Sequence, residues 1–204
     1  YSMRGNVDPF IVMDVMENAR KAEEGGRKII HMEVGQPSTA APSCALERTS
    51  QIIKSNPLGY TVALGLPELR KKISNLYGRW YNLDIDPSRV IVTSGSSGAF
   101  ILSFTALFEG GARVGIGAPG YPSYRQILKS LGISPVDIVT TVKNKFQPTA
   151  KDVVSQNLDG LLVASPSNPT GTMLSKDELT DLIDASHSIG ANFISDEIYH
   201  GIQY

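Results

Sequence analysis

The stretch LLVASPSNPTGTMLSKDELTDLIDASHSIGANFISDEIY, residues 161–199, contains the pattern that decides the fold. Its apolar run at 161–163 predicts a buried strand, Ser175 to Ser188 predicts a helix, and 192–195 predicts a second strand. The helix opens with Ser175-Lys176-Asp177-Glu178, which matches a capping box, in which serine and glutamate satisfy free backbone amides reciprocally. A strand, a helix and another strand in this order predict a parallel pair joined by a crossover.

The same alternation extends backwards along the chain to residue 89. Short apolar runs alternate with helical segments, with strands predicted at 90–92, 113–116 and 134–139 and helices at 98–107, 123–131 and from Thr149 onward. Parallel strands, connected by helices that cover the sheet, are the expected result. The chain is therefore predicted to fold as an α/β protein.

The N-terminal part follows a different pattern. Residues 1 to about 45 resemble an arm that contains one helix. That helix is predicted to begin at Pro9 and to end at Gly25-Gly26, and a short strand is predicted from Lys28 to Val34. A later helix is predicted to begin at Pro67, because proline is suited to the first turn of a helix.

Composition narrows the class of protein. Charged residues make up 19% of the 204 residues and the formal net charge is −1, which indicates neither a nucleic-acid surface nor a polybasic membrane patch. The apolar runs are far shorter than the ~20 residues of a membrane span, and no signal peptide is expected. Cys44 is the only cysteine, which excludes an internal disulfide and fits a reducing compartment. A cytoplasmic protein that binds neither nucleic acid nor membrane is expected.

A candidate anion site lies between the strand predicted at 90–92 and the helix that follows it. The segment Thr93-Ser94-Gly95-Ser96-Ser97-Gly98 allows a tight turn, after which the amides of Ser96 and Ser97 would point out of the helix N-terminus. Helix-end amides and the helix dipole together favour a phosphate at such a position. The segment is neither a Walker loop nor a Gly-x-Gly-x-x-Gly fingerprint. Taken alone, a turn that caps a helix is the simpler interpretation.

Aromatic and polar groups follow the other predicted strands. Tyr121 lies in the proline-stiffened loop Pro119–Pro122 and could offer a stacking platform, although packing at the core or rim explains it as well. Asn168 follows one strand, and Asp196 and Tyr199 follow the next. Alone, this aspartate could be a helix N-cap and this tyrosine could cover the sheet edge. Together, the ends of four successive strands offer the groups that one planar, phosphorylated, heteroaromatic ligand would use.

These motifs, in this order and spacing, resemble those of pyridoxal-phosphate-dependent aminotransferases of the class I/II family. The resemblance covers nearly the whole chain and is carried by Gly35-Gln36-Pro37, Tyr60, Gly65-Leu66-Pro67-Glu68-Leu69-Arg70, Thr93 to Gly98, Pro119-Gly120-Tyr121-Pro122, Asn168-Pro169-Thr170-Gly171 and Asp196-Glu197-Ile198-Tyr199. It implies the fold type I architecture, a three-layer sandwich with a mostly parallel sheet, incomplete at the C-terminus. It also implies that residues 1–45 form the N-terminal arm and part of the small domain, and that residues 46–204 form the N-terminal portion of the cofactor-binding large domain.

The resemblance implies pyridoxal 5'-phosphate as the cofactor and a role for each candidate residue. The cofactor-binding groups are the amides of Ser96 and Ser97 for the phosphate, Tyr121 for stacking on the pyridine ring, Asn168 and Tyr199 for the phenolic oxygen, and Asp196 for the ring nitrogen. Gly35 would lie over the substrate carboxylate. Tyr60 would reach the phosphate in the neighbouring subunit's site, which implies a homodimer with shared active sites. No metal is implied.

The implied reaction is transfer of an amino group from an L-amino acid to a 2-oxo acid. In the family, a lysine that forms a Schiff base with the cofactor follows the Asp-x-x-Tyr motif, after a further strand and a serine-rich segment. We expect that lysine to lie beyond Tyr204, so that the chain alone is inactive. Two alternatives stay open: a carbon–sulfur lyase or other fold type I enzyme, and an aminotransferase-like domain of a regulator that senses the cofactor.

Overall fold

The computed structural model describes residues 2–35 and 39–202 of the chain. It divides into two compact units, one formed by Tyr1–Phe10 and Ser94–Tyr204 and the other by Ile11–Thr93. Gln36 and Pro37, which belong to one of the motifs quoted above, lie outside the described residues. None of the helices within the described ranges combines the length and the apolar character that crossing a membrane requires.

The unit of residues 11–93 is helical. Its elements are α1 (Ile11–Glu24), α2 (Ser43–Ser55), α3 (Pro67–Tyr81) and a 3₁₀ turn at Pro87–Arg89. The first and third helices confirm the predictions, and Pro67 lies at the N-terminal end of α3 as expected. No helix is predicted from the sequence at α2. Its N-cap residue, Pro42, makes no side-chain capping bond, so the residue pattern that marks a helix start is absent.

The prediction of a strand from Lys28 to Val34 is wrong. No hydrogen-bonded strand forms there, and Ile30 and Met32 are 82% and 87% exposed. The Met32 backbone N–H donates to the Glu33 carboxylate at 2.9 Å, a local bond instead of a ladder bond. Alternating apolar residues become a strand only when a neighbouring strand supplies ladder partners, and this segment has none among residues 2–35 and 39–202.

The strand predicted at Val90–Val92 is also wrong. The Arg70 guanidinium Nε donates to the Val90 carbonyl at 2.8 Å, and the Val92 N–H donates to the Leu64 carbonyl at 3.0 Å. A side chain and a loop therefore take the backbone groups that a sheet would have used. The predicted phosphate site consequently follows an irregular segment instead of a strand. The other three expected sites follow β-strands in the described structure.

The second unit contains a parallel sheet and its helices. Its elements are α4 (Gly95–Leu107), β1 (Arg113–Ala118), α5 (Pro122–Ser130), β2 (Ser134–Val139), α6 (Ala150–Val154), β3 (Gly160–Ala164), α7 (Lys176–Ser188) and β4 (Asn192–Asp196), with a 3₁₀ turn at Val142–Asn144. These elements confirm the alternation predicted from residue 113 onward. The predicted capping box is present, since the Glu178 N–H donates to Ser175 Oγ and the Ser175 N–H donates to the Glu178 carboxylate.

Helix α4 begins three residues earlier than predicted, at Gly95 instead of Gly98. Gly95 has a φ of +75°, a backbone conformation that favours glycine. The chain can therefore turn directly from the irregular segment into the helix. This early start places Ser96 and Ser97 inside the first helical turn.

The four strands lie in the order β2-β1-β3-β4, and every neighbouring pair is parallel. Side chains of adjacent residues point to opposite faces of a strand. Leu162 of β3 accordingly packs with α4 and α5 on one face, whereas Leu161 and Val163 pack with α6 and α7 on the other. Two apolar clusters on opposite faces confirm the three-layer sandwich.

The strand order reverses between β1 and β3. After β1 the chain enters α5 on one face of the sheet, and after β3 it reaches α7 on the opposite face. The two connections diverge at the C-terminal ends of adjacent strands, where open α/β sheets form a ligand-binding crevice. The fold therefore predicts the position of a site before any side chain is considered.

Candidate active site

A cavity of about 110 Å³ opens at this crevice. Five of the residues predicted from the sequence line it: Ser96, Tyr121, Asn168, Asp196 and Tyr199. They come from the start of α4, from the loops after β1 and β3, and from the end of β4 and its following turn. The structure thus brings together groups that span residues 96–199 of the chain.

The N-terminus of α4 contributes backbone donors. Ser96 and Ser97 are the second and third residues of the helix, and the first N–H groups of an α-helix have no intrahelical acceptor. The N-cap residue Ser94 makes no side-chain capping bond to them. Ser96 is half-buried at the cavity, whereas Ser97 is exposed and is not among the lining residues. This helix end can accept an anion through its amides and its dipole.

Tyr121, at the N-terminus of α5, is held between two aromatic rings. Its ring centroid lies 5.3 Å from that of Tyr124 and 6.0 Å from that of Phe10, with edge-to-face angles of 81° and 80°. Edge-to-face contacts favour one ring orientation. A half-buried ring fixed in this way can offer its face to a planar ligand in the cavity.

Asp196 is a buried carboxylate with its own hydrogen-bond donors. Asp196 is 9% exposed, and its Oδ2 accepts a hydrogen bond of 2.5 Å from the hydroxyl of Tyr124. Tyr124 is also buried. Asp196 Oδ1 accepts the Ile198 N–H at 3.2 Å. Burial, together with the bond to Asp196, raises the pKa of the Tyr124 phenol far above its usual value. The phenol therefore stays protonated and acts as a donor that stabilises the buried carboxylate.

Tyr124 also lines the cavity, and the sequence motifs did not predict it. It lies three residues after Tyr121 and therefore on the same face at the start of α5, which is the signal that could have identified it. Its partner Asp196 is 72 residues away in the chain. Only the packing of α5 on the sheet face beside β1 and β3 brings the two together.

Asn168 and Tyr199 face each other across the cavity. The Asn168 amide Nδ2 and the Tyr199 hydroxyl lie 3.5 Å apart, a long hydrogen bond. An amide has two donors and a phenol has one, so both retain capacity for a further oxygen atom. An oxygen carried by a ligand could be held between these two groups.

The loop that carries Asn168 is closed by its own hydrogen bonds. The Ser167 N–H donates to the Thr172 carbonyl at 3.0 Å, and the Gly171 N–H donates to the Ser167 carbonyl at 2.7 Å. The buried Gln147 amide donates to the carbonyls of Ala164 and Thr172, both at 3.1 Å. These bonds hold Asn168 in place before any ligand binds.

Two other predicted residues belong to the unit of residues 11–93. Gly35 is exposed, and the Tyr60 side chain is fully exposed. The cavity is lined by residues of the sheet-containing unit. The roles assigned to Gly35 and Tyr60 therefore stay predictions.

A larger cavity, of about 310 Å³, lies between residues 144–151 and α7. Two of its charged groups form an ion pair, since Lys145 Nζ lies 3.1 Å from Glu178 Oε1. Its lining among the described residues includes no aromatic side chain and no residue predicted for the site. Size alone therefore does not make it the better candidate, because polar groups that converge in a pocket with aromatic side chains mark a binding site.

Comparison with known proteins identifies the family to which the chain belongs. Residues 27–204 match the family model for aminotransferase class I and II. The whole chain is 40% identical to the valine–pyruvate aminotransferase of Mycobacterium tuberculosis (strain ATCC 25618 / H37Rv) and covers 53% of it.

Two solved structures share the fold. An aminotransferase from Mycobacterium tuberculosis superposes with a TM-score of 0.94 at 40% identity, over 98% of this chain and 52% of that one. A proposed aminotransferase from Silicibacter pomeroyi superposes with a TM-score of 0.89 at 58% identity, over 100% of this chain and 52% of that one. The chain spans about half the length of these relatives. With a family match over most of its length, the chain belongs to the class I and II aminotransferases and has their fold type I architecture.

Proposed function

We propose that the protein carrying this chain is a pyridoxal-phosphate-dependent aminotransferase that moves an amino group from an L-amino acid to a 2-oxo acid. The observation that carries this proposal is the buried Asp196 carboxylate in one cavity with the Asn168–Tyr199 pair, the Tyr121 ring and the N-terminus of α4. The family match and the named activities of the relatives support it.

The chemistry of these groups fits pyridoxal 5'-phosphate. We assign the phosphate to the amides of Ser96 and Ser97, and the pyridine ring to the face of Tyr121. The phenolic oxygen is assigned to a position beside the Asn168 amide and the Tyr199 hydroxyl, which lie 3.5 Å apart and can both donate to it. The bound cofactor supplies an electron sink that makes the α-carbon proton of an amino acid removable.

Asp196 has the central role among the residues of this chain. A carboxylate at the ring nitrogen holds a proton on that nitrogen, and a buried ion interacts with its partner more strongly than an exposed one. Tyr124 and the Ile198 N–H orient the carboxylate, because each donates to a different carboxylate oxygen. Asn168 and Tyr199 would stabilise negative charge on the phenolic oxygen by hydrogen bonding.

We further propose that no lysine of this chain forms the Schiff base. No lysine among the described residues lines the cavity. The ammonium of Lys129 lies 2.7 Å from Asp8 Oδ2, and that of Lys145 lies 3.1 Å from Glu178 Oε1. These groups act as surface ion pairs, and the chain alone is then inactive.

The full-length protein provides the test of the function. Titration with pyridoxal phosphate should produce a saturable visible absorbance band, and amino acids should convert that band in single turnovers. Valine with pyruvate is the first substrate pair to assay, since a relative 40% identical is named for it. Borohydride reduction followed by peptide mapping should label a lysine outside residues 1–204. A labelled lysine within the chain would contradict the lysine assignment, and pyruvate release without a 2-oxo acid acceptor would favour a lyase.

Tyr124→Phe is expected to lower kcat/KM by roughly 10- to 100-fold, since a hydrogen bond to a charged group contributes about 1.5–3 kcal/mol. The ring remains, so its edge-to-face contacts with Tyr121 and Phe100 are kept. The measurement is kcat/KM in the full-length protein, and the midpoint of urea unfolding shows whether stability has changed. Asp184→Ala, at an exposed position of α7, is the control. Equal kcat/KM in wild type and Tyr124→Phe would refute the role of the bond.

We propose that the protein is a homodimer in which Tyr60 reaches the partner's phosphate site. Support comes from the fully exposed Tyr60 side chain and from α2, which buries none of its residues within the chain. Tyr60→Ala and Asp196→Ala subunits should each form weakly active homodimers. Mixed dimers should recover up to about half of the wild-type activity per dimer. One of their two sites combines an intact Tyr60 with an intact Asp196, and the other site has neither. Mixtures no more active than the separate variants would contradict shared sites.

A further inference from the structure

We propose that His200 is a positioning residue that clamps together the two loops carrying Asn168 and Tyr199. This inference rests on the proposed function, because it concerns the pair assigned to the phenolic oxygen of the cofactor. It adds a residue whose side chain does not line the cavity but sets the geometry of two residues that do.

His200 links the turn after β4 to the loop after β3. Its Nε2 lies 3.0 Å from the Ser165 carbonyl oxygen, and its side chain is 28% exposed. A carbonyl oxygen only accepts, so Nε2 carries the hydrogen and donates it. The other ring nitrogen, Nδ1, faces the Glu197 carboxylate at 3.7 Å. The imidazole is thereby oriented from both sides.

Ser165 makes hydrogen bonds with three other segments of the chain. Its N–H donates to the Asp196 carbonyl at 3.2 Å, its Oγ accepts the Leu174 N–H at 3.0 Å, and its carbonyl accepts from His200. The first bond continues the pairing of β3 with β4, and the second closes the loop that carries Asn168. The third ties this loop to the residue directly after Tyr199. The His200–Ser165 bond therefore joins the two loops from which Asn168 and Tyr199 extend.

The spacing of Asn168 and Tyr199 depends on how far apart these two loops stand. The turn after β4 also makes short local bonds, such as the His200 N–H to the Glu197 carbonyl at 3.0 Å and the Ile198 N–H to Asp196 Oδ1 at 3.2 Å. Ile198 in this turn is 60% exposed and gives it little apolar anchorage. Without the imidazole, the 3.5 Å gap between the amide and the phenol would widen or fluctuate. Both apolar clusters lie outside this turn, so the fold should persist.

The test uses the full-length protein with pyridoxal phosphate as the probe. His200→Ala is expected to raise the apparent Kd of pyridoxal phosphate about threefold to tenfold, the range for loss of one hydrogen bond. It should also shift the pH midpoint of the visible band of the bound cofactor, because that midpoint reports the donors to the phenolic oxygen. The urea midpoint of the cofactor-free protein should stay close to that of wild type.

His200→Gln is the rescue variant, because the glutamine amide can place a donor near the position of Nε2. If a single hydrogen-bond donor is sufficient, this variant should restore the Kd to within about twofold of wild type. It should restore the pH midpoint to within about 0.2 pH units. His187→Ala, on the exposed side of α7, is the matched control and should match wild type.

Three results would overturn the clamp: wild-type Kd and pH midpoint in His200→Ala, equal impairment of the alanine and glutamine variants, or a fall in urea midpoint with an unshifted band. If wild type itself gives no saturable band, the proposed function fails first. The two failures are therefore distinguishable.

Discussion

Asp196→Ala in the full-length protein is expected to lower kcat/KM for transamination by about 10²- to 10⁴-fold. Removing one partner of a buried charge pair costs about 3–5 kcal/mol, and each 1.4 kcal/mol is a factor of ten in rate. The Kd of pyridoxal phosphate should rise much less, because the phosphate contacts at α4 and the Asn168–Tyr199 pair remain. Single-turnover rates and cofactor titration measure the two effects separately.

Asp196→Asn separates charge from packing. The asparagine side chain keeps nearly the same volume and can still accept from the Tyr124 hydroxyl, but it carries no charge. If charge at the ring nitrogen is the important property, this variant should be nearly as slow as alanine. Asp184→Ala, at an exposed position of α7, is the control for a general charge effect. Undiminished turnover in Asp196→Ala would refute the assignment of this carboxylate to the ring nitrogen.

Phe104→Ala is expected to destabilise the protein by about 3–5 kcal/mol, the usual cost of removing a fully buried aromatic ring. Phe104 is 0% exposed, and its ring stacks on Phe100 at 5.7 Å and contacts Phe108 at 6.3 Å. It belongs to the cluster that joins α4 to the sheet, so the loss should also loosen the helix end proposed to hold phosphate. Urea unfolding followed by circular dichroism measures the change.

Two variants bracket this result. Phe104→Leu leaves most of the volume filled and should cost clearly less than alanine. Val142→Ala, at a residue 74% exposed, should change the free energy of unfolding by less than about 0.5 kcal/mol. If Phe104→Ala unfolded at the same urea concentration as Val142→Ala, the cluster of α4 and the sheet would not be a main source of stability.

The elements that local sequence predicted well are those with local causes. The predicted β2 has the bounds seen in the structure, and the helix predicted from Ser175 begins directly after that residue through its own capping box. The segments at 28–34 and 90–92 have strand-like composition but lack paired neighbours within the described chain. A strand depends on ladder partners elsewhere in the sequence, and composition does not report whether they arrive.

The candidate site divides in the same way. Ser96, Tyr121, Asn168, Asp196 and Tyr199 were predicted because each belongs to a motif, and all five line one cavity. Tyr124 was missed because its role arises from a partner 72 residues away, and His200 because it acts through the carbonyl of Ser165. The spacing of Tyr124 from Tyr121 is the one local trace of these two contacts, and it does not point to the partner.

By itself, then, the sequence determined the alternation of strands and helices from residue 113 onward and the motifs that place this chain in its family. Capping boxes, apolar runs and turn residues act over a few positions, so they can be read from neighbouring residues. The tertiary structure alone decided the order β2-β1-β3-β4, and with it the crevice between β1 and β3. It also decided that Tyr124 supports Asp196, because contacts between distant segments form only when the sheet brings their ends to one edge.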